Sequence, residues 1–134
     1  MNELSNYANL YQTELLDSVA PFWLNHSKDE QFGGYFTCLN RKGEVFDTDK
    51  FLWLQGREVW LFSMLYNKIE NKQEWLDMAL HGAAFMQKYG TDKQGNWYFS
   101  LTREGKPIIQ PYNIFSDCFA AMAFSELYKA TATE

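Results

Sequence analysis

FLWLQGREVWLFSMLY, residues 51–66, and IFSDCFAAMAFSELY, residues 114–128, are the two stretches on which the fold turns. Each is long enough for a helix, apolar nearly all round, and poor in charge at its middle. A helix of that composition is buried on most sides. The two are also related. Sliding the sequence over itself by 62 residues, so that 35–66 lies over 97–128, pairs seven identical residues in that segment without a gap. They are Leu39/Leu101, Arg41/Arg103, Gly43/Gly105, Phe62/Phe124, Ser63/Ser125, Leu65/Leu127 and Tyr66/Tyr128. Phe36/Tyr98 and Trp53/Phe115 are conservative neighbours. Two glycines at the same point of the same pattern argue for a repeated structural unit.

Working outward, each unit has one anatomy. A more amphipathic helix comes first, over roughly 4–26 and then roughly 73–89. Pro21 sits inside the first and is expected to kink it, because it removes a backbone donor. A short hairpin follows. Tyr35 to Leu39 and Val45 to Phe46 flank the turn Asn40-Arg41-Lys42-Gly43, and Trp97 to Leu101 and Pro107 to Ile109 flank Thr102-Arg103-Glu104-Gly105. A glycine closing such a turn suits a left-handed residue. The apolar helix comes last, over roughly 50–70 and then roughly 113–131, with Asp49 and Asn113 as expected N-caps. Helix pairs of this kind stack side by side, because neither face is buried alone. The expected fold is therefore mainly α: part of an (α/α)6 barrel, with apolar helices inside, amphipathic helices outside and short β-hairpins between them. Residues 1–134 read as one partial toroid of two units. Six units on this period need roughly 370 residues, and the chain ends where a third unit is expected to begin.

Composition excludes several function classes. The chain has 134 residues and a formal net charge of −5, with no basic run, which argues against nucleic acid. No apolar stretch approaches the ~20 residues that span a bilayer. The start, MNELSNYANL, lacks the basic and apolar regions of a signal peptide. Cys38 and Cys118 are far apart and carry no metal or redox spacing, so they read as reduced thiols in a cytoplasmic protein. Aromatic residues make up 18% of the chain. That fits either a core of large rings or a cavity that stacks rings on a sugar.

The candidate chemistry centres on Arg57. Trp53, Arg57 and Trp60 fall at i, i+4 and i+7 and share a helix face. A guanidinium on an apolar helix is costly unless it pairs with a carboxylate, such as Asp49, Asp117 or Glu126, or faces a wet cavity. In a cavity it is suited to hold an oxygen anion with two donors. Gly56 beside it allows another segment to approach closely. Asp117, at the repeat position of Gln55, reads either as an acid favoured by the helix dipole or as a polar group at the cavity rim near Ser116. Gln55 has the same two readings. His26 and His81, the only histidines, lie on the outer helices and are poor candidates for a catalytic base. No zinc-protease, phosphate-loop or nucleophile-elbow motif is present. Asp117 with Asp49 or Glu58 is the only carboxylate pairing that a barrel glycosidase or lyase would use. A non-catalytic helical-repeat module that binds carbohydrate or protein is the alternative to an enzyme.

Four stretches carry a family resemblance: FWLNHS (22–27), GGYFTCL (33–39), WLQGREVW (53–60) and IFSDCF (114–119). In this order and spacing the chain resembles the N-acylglucosamine 2-epimerase family, which includes the renin-binding proteins. WLQGR favours the acylglucosamine branch over the cellobiose 2-epimerase branch. The resemblance implies an (α/α)6 barrel that interconverts N-acetylglucosamine and N-acetylmannosamine by proton transfer at C2. It assigns Arg57 as catalytic, at the developing oxyanion; Trp53, Gln55, Trp60, Ser116 and Asp117 are the expected substrate-binding residues on the cavity reading above. It implies that the two catalytic histidines lie beyond residue 134, so that this chain alone is inactive. It implies no metal or redox cofactor, admits ATP as an activator, and suggests a homodimer.

Overall fold

The computed structural model describes residues 3–111 and 113–132. The ends of the expected 1–134 unit, including Thr133 and Glu134 where a third repeat was expected, lie outside the described residues.

The first outer helix forms as three consecutive pieces. α1 spans Glu3–Glu14, a π-helical turn spans Leu15–Val19, and α2 spans Ala20–His26. Pro21 lies in the first turn of α2. A π-turn stands just before the proline, where the Ala20 N–H reaches back to the Leu15 carbonyl. The first hairpin pairs β1 (Cys38–Leu39) with β2 (Val45–Asp47) in antiparallel fashion. Its turn closes with the Gly43 N–H donating to the Asn40 carbonyl at 3.0 Å, and Gly43 has φ +82. The second hairpin repeats this with β4 (Ser100–Leu101) and β5 (Pro107–Ile109). There Gly105 donates to the Thr102 carbonyl at 3.0 Å, with φ +89. Both turns match the sequence reading. One pairing was not foreseen: β3 (Lys50–Phe51), at the end of the first unit, pairs with β4 of the second.

α3 (Leu52–Lys68) is the hub of the molecule, packed on α5 (Phe115–Thr131) and α4 (Gln73–Tyr89). Leu52, Val59, Phe62 and Leu65 of α3 are fully buried. They meet Met78, Ala79 and Met86 of α4 and Ala120 and Ala123 of α5. Each large side chain removed from water this way contributes roughly 1.5–3 kcal/mol. Gly56 sits where α5 comes closest: a Cβ there would stand 2.9 Å from the Phe119 carbonyl carbon and oxygen. The close approach expected at Gly56 is therefore that of α5.

The N-caps differ from expectation. Phe51 occupies the cap of α3 without a side-chain bond, and Asp49 instead turns its N–H to Asp47 Oδ1 at 2.8 Å. The β3–β4 pairing explains this, since Leu52 N–H is already bonded to the Phe99 carbonyl at 3.0 Å. Asn113 does act at the start of α5, where its Oδ1 accepts the Phe115 N–H at 3.0 Å. Among the described residues, no helix is long and apolar enough to cross a membrane.

A buried charge cluster joins the two units. Lys50 Nζ and Arg103 Nε each donate to Asp29 Oδ2 at 2.9 Å, and Arg103 Nη2 donates to Oδ1 at 3.0 Å. Lys50 Nζ also donates to the Arg103 carbonyl at 2.9 Å. Asp29 and Lys50 are completely buried. Burial alone would raise the Asp29 carboxyl, but the Arg103 and Lys50 bonds outweigh it and hold the group well below the usual carboxylate range.

Candidate functional site

α3 presents Arg57 between two hollows. The first, about 330 Å³, is lined by residues that include Val19, Trp23, Thr37, Arg57, Glu58 and Trp60. The second, about 380 Å³, is walled by Trp53, Phe99, Asn113, Phe115 and Phe119 at the N-terminal ends of α3 and α5. Trp53 and Phe119 pack with ring centroids 6.0 Å apart, and the Arg57 guanidinium carbon stands 5.8 Å from the Phe119 ring. Arg57 is exposed, and among the described residues it forms no ion pair. The carboxylates considered as its partners are placed otherwise. Glu126 accepts from Lys129 Nζ at 2.9 Å and from Asn67 Nδ2 at 2.9 Å, and Asp117 is exposed in the first turn of α5.

The two tryptophans are split. Trp53 belongs to the aromatic hollow and Trp60 to the other. They share a helix face, as their spacing requires. Seven residues also separate them by about 10 Å along the axis, and Trp60 lines its hollow together with Val19 and with Trp23 of α2. Gln55, expected at the substrate, belongs to neither lining. It is fully buried and clamps the backbone of Tyr35: its Oε1 accepts the Tyr35 N–H at 2.8 Å, and its Nε2 donates to the Tyr35 carbonyl at 2.9 Å. Ser116 is buried, with a hydroxyl that has no partner among the described residues, and it too is outside both linings.

The histidines stay outside the site. His26 is exposed, with its ring 5.1 Å from Phe22. The His81 Nε2 lies 3.1 Å from the Gly34 carbonyl, and burial lowers the affinity of that ring for a proton. Cys38 and Cys118 are both free thiols.

Sequence reasoning missed Phe99 and Asn113 as cavity walls. It considered Glu58 only as half of a carboxylate pair. Phe99 and Asn113 carried no signal of their own, because the β3–β4 pairing and the start of α5 bring them to Trp53. Glu58 did carry one, as an acid inside an apolar helix. It is 7% exposed, and its carboxyl meets the Ser27 hydroxyl. Burial pushes it up to about 8.

Residues 34–134 match the family model of N-acylglucosamine 2-epimerase (GlcNAc 2-epimerase). The chain belongs to this family. It is 44% identical over 120 residues to the N-acylglucosamine 2-epimerase of Mus musculus, covering 87% of this chain and 29% of the mouse protein. It is 33% identical over 120 residues to the cellobiose 2-epimerase of Dictyoglomus turgidum, covering 87% of this chain and 30% of that one. The solved cellobiose 2-epimerase of Bacillus thermoamylovorans superposes with a TM-score of 0.84 at 26% identity, over 96% of this chain and 33% of that one. This chain thus spans about a third or less of the length of these relatives, and its mainly helical fold is that of a portion of the family's (α/α)6 barrel. The higher identity to the acylglucosamine enzyme agrees with the reading of WLQGR.

Proposed function

We propose that this chain supplies the oxyanion-holding arginine and one aromatic wall of a sugar 2-epimerase that interconverts N-acylglucosamine and N-acylmannosamine. The observation that carries this reading is Arg57, an exposed guanidinium with no ion pair among the described residues, beside the aromatic hollow of Trp53, Phe115 and Phe119. Opening the sugar ring places an aldehyde at C1 and makes the C2 proton acidic. Its removal leaves an enolate whose oxyanion is at C1 and whose C2 carries the acylamino group, and return of a proton on the opposite face inverts C2. Two donors aimed at the developing oxygen lower that barrier. Trp53 and Phe119 offer apolar faces to the sugar's C–H surface. Asp117, exposed in the first turn of α5, belongs to the rim of the same reading, and Trp60 to the far side of Arg57.

The proton transfers need a base and an acid on opposite faces, each titrating near neutrality. His26 and His81 are held elsewhere, so this reading assigns those roles to histidines outside this chain. A cytoplasmic, homodimeric enzyme with ATP as activator is the fuller form of the proposal. The test is a titration of the chain with N-acetylmannosamine, followed by the indole resonances of its tryptophans, with C2 exchange in D2O read on the same samples. We expect the Trp53 signal to move, Arg57→Ala to weaken that response at least tenfold, and no deuterium at C2. An unmoved Trp53, or deuterium incorporated by this chain alone, overturns the reading.

A further inference from the structure

Ser27 Oγ, at the end of α2, lies near two oxygens at once. One is the Trp23 carbonyl, 2.6 Å away; the other is the Glu58 carboxyl. A serine hydroxyl has one proton, and a carbonyl oxygen only accepts. Two oxygens at 2.6 Å with no hydrogen between them repel, so the hydroxyl proton lies toward Trp23. The contact to Glu58 then needs its proton from the carboxyl. Burial disfavours the ionised form. Glu58 is 7% exposed and forms no ion pair among the described residues. The groups that line its hollow besides Arg57, namely Val19, Trp23, Thr37, Leu54, Trp60 and Leu61, carry no charge. The titratable groups near it are Arg57, next to it in α3 and lining the same hollow, and the phenol of Tyr35. The Tyr35 O–H donates to the Met78 carbonyl at 2.7 Å, and that phenol is raised by burial and then by the Glu58 charge.

We propose that Glu58 is a positioning residue: a neutral carboxylic acid that donates to Ser27, ties the end of α2 to α3, and leaves Arg57 with no anion beside it in the cavity wall they share. This rests on the reading that Arg57 holds an oxyanion. Ionised, the same carboxyl would put a negative charge in the wall of the hollow that Arg57 also lines, and would compete with the ligand oxygen. The geometry therefore builds an alkaline limit into the site.

The sign follows from linkage. Glu58 binds its proton more tightly folded than unfolded, so its ionisation opposes folding. Between its unfolded value of 4.5 and its folded value of about 8, the folding equilibrium constant falls up to tenfold per pH unit on this account. His81, held low, acts in the opposite sense over part of that window, and Asp49, held high, acts in the same sense. The difference between the parent and Glu58→Gln isolates Glu58.

Three measurements on the full chain test this. The first is a carbon-detected carboxyl titration of the unsubstituted protein, which stands whatever the variant does. A Glu58 midpoint near 8 is expected, and a midpoint below 6 overturns the proposal. The second is urea unfolding from pH 5 to 7.5. Glu58→Gln should gain on the parent by close to tenfold in the folding constant per pH unit, and parallel curves overturn the proposal. The third follows the Arg57 Nε–H resonance during titration with sulfate, whose charge is constant over this range. Half-saturation should need several-fold more sulfate at pH 9.5 than at pH 6.5 in the parent, with less than a twofold change in Glu58→Gln. An equal change in both proteins, or no response at Arg57, overturns it. A failure of N-acetylmannosamine to move Trp53 while all three results hold would remove the sugar reading and leave the Glu58 proton in place.

Discussion

α3 and α5 occupy the same place in successive repeats and have similar compositions, yet they have different surroundings. Among the described residues, α3 fully exposes only Arg57 and Lys68, both charged. α5 exposes Phe115 at 60%, Met122 at 45% and Tyr128 at 69%. Identical residues at paired positions divide the same way. Ser63 is buried and Ser125 exposed; Phe62 is completely buried and Phe124 only partly. Leu65 and Leu127 alone are buried alike. The difference is one of neighbours. α3 is covered by α2, α4 and α5, whereas α5 packs on α3 and only slightly on α4. An apolar helix states what it can bury, and the number of elements around it decides how much of that is realised.

The comparison is sharpest at the paired phenylalanines. Phe62→Ala should cost about 3–5 kcal/mol, and Phe124→Ala roughly half of that or less. Urea midpoints of the two variants check this, and equal losses would mean that the helices are equally enclosed. The paired arginines are the next contrast. Arg103→Ala removes two charge-assisted bonds to Asp29 and should cost roughly 1.5–3 kcal/mol. Its exposed counterpart Arg41 should be replaceable at little cost. The Asp29 carboxylate is held below its ordinary value of 3.8. Its contribution is thus fully present above about that pH and is lost as pH falls through the lower folded value. Asp29→Asn should flatten the acid limb of a stability–pH curve, and an unchanged limb would place the acid sensitivity elsewhere.

Gly56 and its counterpart Cys118 give a smaller effect. Gly56→Ala forces α3 and α5 apart and should cost about 1–3 kcal/mol. Cys118→Ala, on the exposed side of α5, should stay within about 0.5 kcal/mol. Thermal or urea unfolding separates the two. The least effect on folding is expected at Tyr128. Like Phe115 and Met122 it is an exposed apolar side chain of α5, and exposed apolar surface promotes association. Tyr128→Ser should lower the apparent mass in sedimentation velocity without shifting the urea midpoint, whereas a parent chain that sediments as a monomer would contradict the association.

Much of this was legible beforehand. Gly43 and Gly105 announced the turns because only their backbone conformation admits the positive φ. The 62-residue offset announced the order helix, hairpin, helix, twice. The site was legible only in part. Arg57 stood out as a charge in an apolar helix, but Trp53 and Trp60 were joined by a periodicity that ignores rise along the axis. Gln55 gave no sign that it was the clamp on Tyr35, because that partner lies 20 residues away. Phe99 and Asn113 reached the hollow through contacts that no pattern within one unit encodes.

What the sequence determined by itself is what short-range sterics and periodicity fix: helix faces, turn glycines, the repeat, and the motifs that the family shares. What only the tertiary structure decided is environment. Ser63 and Ser125, or Arg41 and Arg103, are the same residues in the same local pattern. Their burial, their partners and their protonation depend on segments distant in sequence. Glu58 shows this most directly. Its residue type says carboxylate, but enclosure by α2 and the single proton of Ser27 make it an acid, because the cost of a buried charge is set by everything around it.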